Sequence, residues 1–369
     1  MKLHRTSRLA AVLAAGSLAL AACGGSDDET ATPGTPAASE GPTLTGTLAG
    51  AGSSAQTSAI EAWTAGFQTA NDGVTINYDP VGSGGGRDQF TAGGVDFAGS
   101  DRAMKPEELT EAAKRCAPGA KVVDLPLYIS PIAVAFNLEG VDKLNLKPAT
   151  IAKIFNQKIT NWNDPAIKAD NPDATLPDLK ITPVNRSDDS GTTENFTDFL
   201  AVTAKADWPY EADGEWPVKG GEAANGTSGV VQAITAGNGA IGYADASQVA
   251  DLGKVAVGVG SEFVEYTPEA AAAVVEGSPR EEGRMEGDIV VEIARDTTSA
   301  EEYPVVLVSY SLACTKYTDA AKGELVKAFL TYVASEEGQN AAAENAGSAP
   351  ITDALRTDVQ ASIDAIGGA

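Results

Sequence analysis

Hydroxyls, small residues and one arginine crowd the segment Asn185-Arg186-Ser187-Asp188-Asp189-Ser190-Gly191-Thr192-Thr193. Residues 181–184 before it form a short apolar run of strand character, and Phe196, Phe199 and Leu200 after it fall at helical spacing, so the segment is a strand-to-helix turn. A helix entered through Ser190, Gly191 and Thr192 offers N–H groups beyond the reach of intrahelical acceptors, two hydroxyls and the positive end of the helix dipole. That is chemistry for an anion. Arg186 adds a permanent, forked positive charge. Asp188 and Asp189 oppose the reading unless one of them pairs with Arg186 and holds the guanidinium in position. Taken alone, the segment is equally well a capped helix beside an exposed arginine.

Similar places recur earlier in the chain. A short strand over 45–49 leads through Gly50-Ala51-Gly52-Ser53-Ser54 into a helix carrying Ile60, Trp63 and Phe67 on one face, with the hydroxyls of Ser53 and Ser54 and the N–H of Ala55 at its mouth. A strand over 74–78 is followed by Val81-Gly82-Ser83-Gly84-Gly85-Gly86-Arg87, whose backbone is free to approach a ligand closely or simply to flex. The strand in residues 95–101 ends on Asp101, which as a plain turn or cap residue before the helix near Pro106 needs no further role.

These turns need two compact units to carry them: 369 residues exceed one ordinary domain, and 43 % apolar content is enough for real cores. Further along, residues 122–127 and 132–137 are β-rich and nearly free of charge, consistent with a buried strand and a crossing between lobes. A short helix over 148–155, a polar turn at 161–165, a loop-rich portion over 207–229, a helix from Val230 and a strand over 239–243 follow. Strand 255–259, an alanine-rich helix over 268–276, an exposed acidic loop over 279–288, a strong strand over 305–314 and helices over 319–334, 336–345 and 352–366 complete the chain. The class is α/β.

Formal charge is −25, from 26 basic and 51 acidic side chains. Lys2, Arg5 and Arg8, followed by the apolar run 9–22, have the form of a secretory signal too short to span a bilayer. Its removal leaves 23 basic side chains against the same 51 acidic ones, a balance of −28. Nucleic acid is excluded as the main partner, and a small anion must be captured by local geometry against a repelling field. The signal ends in Leu20-Ala21-Ala22-Cys23-Gly24-Gly25, which looks like a bacterial lipobox and implies a lipid on Cys23; the alternative is an ordinary signal peptide with an incidental cysteine. Residues 23–42 read as a flexible tether. The only histidine is His4, so the mature chain lacks the base of a Ser-His-Asp mechanism and the commonest zinc ligand, and no metal is expected. Cys116 and Cys314 remain, and two cysteines in an exported protein point to a disulfide.

With these segments in order, the chain resembles the PstS family of phosphate-binding lipoproteins that serve bacterial phosphate ABC importers. The motifs are those at 50–54, 82–86, 95–101, 159–165, 186–192 and 239–243, and the resemblance runs from about Leu44 to Leu355 apart from loops near 207–222 and 277–300. It implies a two-lobed type II periplasmic-binding-protein fold with the ligand in the interlobe cleft, one lobe built from 43–126 plus 309–369 and the other from 127–308. It implies inorganic phosphate as ligand, no cofactor, permease subunits as partners, and a monomer anchored by lipid at the extracytoplasmic face of the cell membrane. Carried over, the phosphate-binding residues are Ser53, Ser54, the N–H of Ala55, Ser83, Asp101, Arg186, Ser190, Gly191 and Thr192, with Asp188 as the carboxylate that pairs with the arginine. Position 54 is often threonine and position 55 often aromatic in the family; serine keeps the hydroxyl and alanine keeps the N–H.

Four phosphate oxygens in a dry site need about a dozen donors, each unpaired group costing roughly 1–3 kcal/mol. Protonated phosphate also brings a hydrogen that Asp101 can accept and sulfate lacks, a distinction worth about 10⁴-fold. Alternatives are a receptor for another oxyanion such as sulfate or arsenate, a phosphoester hydrolase using Ser54, Ser83 or Ser190, and a signalling or adhesion lipoprotein that has lost its ligand.

Overall fold

Each small-residue turn of the first third sits between a strand and a helix. The computed structural model describes residues 44–249 and 251–369, so the signal segment with His4, the lipidation site Cys23 and the tether lie outside the described residues. β1 (Gly46–Gly52) leads to α1 (Thr57–Ala70), β2 (Val74–Asp79) to α2 (Ser83–Thr91), and β3 (Phe97–Ser100) to α3 (Pro106–Ala112). α1 forms because Ile60, Trp63 and Phe67 share one face, and all three are buried. The Trp63 indole satisfies its one donor on the Gly338 carbonyl at 2.8 Å. Gly52 can be nothing else: its φ is +143°, and a Cβ there would stand 2.0 Å from the Gly99 carbonyl oxygen.

β4 (Val122–Asn137) is one uninterrupted strand of 16 residues, where the sequence reading has two pieces. Pro126 and Pro131 disguise it, since proline is normally confined to edges and bulges. The structure accommodates Pro126 at an irregularity: Ser309 pairs with Tyr128 but Tyr310 with Pro126, so Leu127 is skipped. After β4 come β5 (Lys143–Leu146), α4 (Pro148–Phe155), α5 (Pro165–Asp170), β6 (Thr182–Arg186), α6 (Gly191–Thr203), β7 (Glu222–Ala224), α7 (Gly226–Ala236) and β8 (Ala240–Asp245). The 3₁₀ turn Ala246–Gln248 precedes β9 (Gly253–Val259), β10 (Glu262–Val264), α8 (Pro268–Glu276), β11 (Val306–Cys314), α9 (Ala320–Ala334), α10 (Glu336–Ala346) and α11 (Asp353–Asp364). β5 and β7 are absent from the sequence reading because each is only three or four residues long. α7 begins at Gly226 rather than Val230, its first turn being small and polar.

The strands make one curled sheet in the order β2-β1-β3-β11-β4-β8-β6-β7, with β9 joining β4, β5 and β10. β1 is parallel to β2 and β3 at one end, and β6 is parallel to β7 and β8 at the other. Antiparallel β11 and β4 run between them. The result is a two-lobed α/β fold in which the turns after β1, β2 and β3 face the turn after β6. Residues 279–283 are exposed, as the sequence implies, but the stretch is anchored beyond them: the side chain of Arg284 and all of Asp288 are buried. Arg284 donates to the Met104 carbonyl at 2.8 Å and lies 3.4 Å from Asp124. Burial, with Asp288 close by, pushes the Asp124 carboxyl well above its usual range. Cys116 and Cys314 are joined by a disulfide. Among the described residues no helix is long and apolar enough to cross a membrane.

Candidate functional site

Where β1 runs out, the Tyr78 hydroxyl donates to the Ser53 carbonyl at 3.1 Å, and Ser53 Oγ accepts the Ala55 N–H at 3.1 Å. The Ala55 N–H is thus turned onto its own neighbour. Ser54 faces α7: its Oγ accepts the Thr227 N–H at 3.0 Å and shares a hydrogen bond with Thr227 Oγ1 at 3.0 Å. Gln248 Nε2 donates to the Ser54 carbonyl at 3.0 Å. After β2, Ser83 Oγ accepts the Asp101 N–H at 3.1 Å.

Asp101, 2 % exposed, is where the two halves of the cluster meet. Its Oδ2 accepts from Thr192 Oγ1 at 3.0 Å, its Oδ1 from Ser309 Oγ at 2.5 Å, and its carbonyl from Asn195 Nδ2 at 2.6 Å. Ser190 is the N-cap of α6, its Oγ accepting the Thr193 N–H at 3.2 Å. A Cβ on Gly191 would lie 2.7 Å from both Ser83 Oγ and the Asp101 Cβ, so only glycine lets α6 come this close. Arg186 Nε donates to Asp188 Oδ1 at 2.8 Å, its Nη2 makes a second, short bond to Oδ2, and the Gly226 N–H adds a third contact at 3.1 Å. Burial alone would raise the Asp188 carboxyl, but the hydrogen bonds and charge of Arg186 and the Gly226 N–H hold it below the usual range. Arg186 also reaches the turn after β2, since its Nη2 lies 3.5 Å from where a Gly82 Cβ would stand.

Ser53, Ser54, Ala55, Ser83, Asp101, Arg186, Ser190, Gly191 and Thr192 are therefore all buried in one polar cluster. Thr227, Ser309, Asn195 and Tyr243 belong to it as well, and the sequence reading does not contain them. Tyr243 shares a hydrogen bond with Thr193 Oγ1 at 2.7 Å, and burial pushes its phenol up to about 12, so it stays neutral.

An ionic network closes one side of the cluster. Arg87 contacts Asp189 at 3.1 Å and Glu108 at 3.2 Å, and Arg102 contacts Glu108 at 2.8 Å and Glu194 at 2.9 Å. It ties α2 and the β3–α3 turn to α6, and it gives Asp189 the partner that Arg186 gives Asp188. Burial would raise the Glu108 carboxyl, but hydrogen bonds from Arg102 and the Lys105 N–H, with the charges of Arg102 and Arg87, bring it from 4.5 down to about 2. A depressed folded-state pKa contributes stability above the unfolded value and loses it as pH falls toward the folded one. The variant Glu108→Gln is therefore expected to melt below the parent at pH 7, and the gap to narrow steadily once pH drops below 4.5. Thermal melts at pH 7, 5 and 3 check this; a gap independent of pH contradicts it.

Beside Asp101 lies a cavity of about 540 Å³, lined in part by Arg102, Glu194, Asn195, Arg284 and Arg295. Among the described residues no group of three or more His, Cys, Asp or Glu is placed to hold a metal ion. What the cluster offers is many donors, one forked cation and one carboxylate, an arrangement able to hold a small oxyanion.

Residues 37–337 match the PBP superfamily domain. The chain is similar to phosphate-binding protein PstS 3 of Mycobacterium tuberculosis, 36 % identical over 379 residues that cover 99 % of this chain and 100 % of that one. It is 33 % identical over 376 residues to the protein of the same name from Mycobacterium leprae, with the same coverage. In fold it is similar to the phosphate binding protein of Stenotrophomonas maltophilia, with a TM-score of 0.66, 21 % identity, and 86 % of this chain and 93 % of that one covered.

Proposed function

The chain belongs to the PBP superfamily and, within it, to the PstS phosphate-binding proteins, and from that premise we propose that its buried polar cluster binds one inorganic phosphate ion and delivers it to an ABC-type permease. One observation carries the site assignment: a buried carboxylate, Asp101, accepts from the hydroxyls of Thr192 and Ser309, in a polar cluster that also holds the buried Arg186 guanidinium. Ser54, Ser83, Ser190, Gly191, Thr192 and Arg186 satisfy the phosphate oxygens in this reading, Asp188 positions Arg186, and Asp101 accepts the phosphate proton. Ser53 supports the turn, and the Ala55 N–H joins the shell only if it turns away from Ser53 Oγ.

The two ends of the sheet act as lobes, 43–126 plus 309–369 and 127–308, that close over the ion and hide it from water. Contacts such as Ser54 to Thr227 and Asp101 to Thr192 belong to the closed arrangement. In this reading the protein works as a monomer without a cofactor, held at the extracytoplasmic face of the membrane by a lipid on Cys23, and it is not an enzyme. Arsenate, protonated as phosphate is, shares the site.

Calorimetry on residues 24–369 with phosphate, arsenate and sulfate tests the proposal. Phosphate is expected to bind at least about 10⁴-fold more tightly than sulfate. Comparable binding of both ends the selectivity argument, and release of phosphate from a generic ester overturns the assignment as a pure binding protein.

A further inference from the structure

Ser309 lies in the middle of an apolar strand and has no part in the phosphate shell proposed above. On the β3 side of β11 the ladder pairs Leu312 with Ala98, Ser311 with Gly99 and Tyr310 with Ser100. The next step of that antiparallel register sets Ser309 across from Asp101. On the other side, the β4 ladder slips past Leu127 between the Ser309 and Tyr310 pairs. Irregularities of this kind increase local twist and re-aim side chains. Here the Ser309 hydroxyl, 1 % exposed, meets Asp101 Oδ1 at 2.5 Å.

We infer that Ser309 is a positioning residue for anion discrimination: with Thr192 on Oδ2, its hydroxyl on Oδ1 fixes Asp101 as a carboxylate that can only accept. A serine or threonine hydroxyl has one proton to donate. With Ser309 and Thr192 each giving theirs to Asp101, one hydroxyl sits on each carboxylate oxygen. Two donors, one on each oxygen, hold the carboxylate plane in one orientation. The lone pairs left over face the cluster with no proton of their own, so an anion arriving there must supply one. Protonated phosphate does, and sulfate does not. Without Ser309, Oδ1 loses its donor, and the Asp101 carboxylate becomes free to rotate. A carboxylate that rotates off its line no longer sets a bare acceptor against sulfate, and the rejection weakens. Ser309 therefore sets selectivity through Asp101 and contributes little to affinity directly.

This inference rests on Asp101 belonging to the phosphate site, and the experiment separates the two. Kd values for phosphate and sulfate are measured by calorimetry on the parent, Ser309→Ala, Thr192→Ala and Ser309→Thr, with a thermal melt of each. If the parent binds no phosphate, the site assignment itself fails. If it does, Ser309→Ala is expected to lower the phosphate-over-sulfate ratio about tenfold, with phosphate affinity changed by no more than about threefold. Thr192→Ala, which takes the other hydroxyl from Asp101 and keeps the Thr192 N–H, is expected to lower the ratio in the same way. Ser309→Thr keeps the hydroxyl and is expected to keep the ratio. An unchanged ratio in a well-folded Ser309→Ala overturns the inference, as does equal weakening of both ions, which marks Ser309 as structural. If Ser309→Ala melts too low to titrate, the ratio in Ser309→Thr decides: retention supports the role, and loss overturns it.

Discussion

Replacing Arg186 with alanine is expected to weaken phosphate binding roughly a thousandfold, read as a loss of about 4 kcal/mol by calorimetry. The guanidinium is the cluster's forked cation, and its side chain is 2 % exposed. It faces Asp188 through two bonds, while the Gly226 N–H also points at that carboxylate. Removing the arginine subtracts a charge-assisted contact from the anion, and it also leaves Asp188 unpaired in a nearly dry site, facing a second negative charge. Breaking a buried pair by removing one partner costs about 3–5 kcal/mol for that reason. The double variant Arg186→Ala/Asp188→Ala separates the two contributions: it is expected to recover part of the melting temperature and part of the affinity. A loss under tenfold in the single variant would remove Arg186 from the ligand shell.

The second large effect is on selectivity. The change Asp101→Asn is expected to reduce the phosphate-over-sulfate ratio by at least about a hundredfold while phosphate affinity falls much less. Asparagine retains one oxygen that can accept the phosphate proton, and it adds an NH₂ that can donate to sulfate. Its neighbours Thr192 and Ser309 give it hydroxyl partners to reorganise with, so gross misfolding is not anticipated. Competition of labelled phosphate by sulfate measures the ratio directly. Sulfate rejection equal to the parent's contradicts the role given to Asp101.

Most of this cluster is legible in the sequence because each part is local. Gly52-Ser53-Ser54, Gly82-Ser83 and Ser190-Gly191-Thr192 announce a strand ending in a helix cap, and Asp101 sits at a predictable strand end. The partner of Arg186 is two residues away, within reach of any reading that asks how Asp188 is neutralised. What cannot be read locally is the cross-chain pairing. Arg87 follows a glycine run, and nothing near it points to Asp189, 102 positions on. Ser309 looks like any serine in a buried strand until β3 is laid beside β11. Thr227 opens a helix whose first turn has no apolar periodicity, so it merges with the preceding loop. β4 is misread for the opposite reason: Pro126 and Pro131 are local break signals, overridden because β11 keeps the ladder going past both of them.

The bond between Cys116 and Cys314 spans 198 positions, and that has a consequence outside ligand chemistry. Every backbone link from 117 to 313 lies inside a covalent ring. A protease that nicks the exposed stretch around Arg280, Glu282 and Gly283 leaves two pieces that cannot diffuse apart, held by sulfur at one end and by the shared sheet along β4 and β11. A chain cut there still keeps Ser83, Asp101 and Arg186 together in one buried cluster. The damage becomes visible as two bands only when a reductant opens the ring.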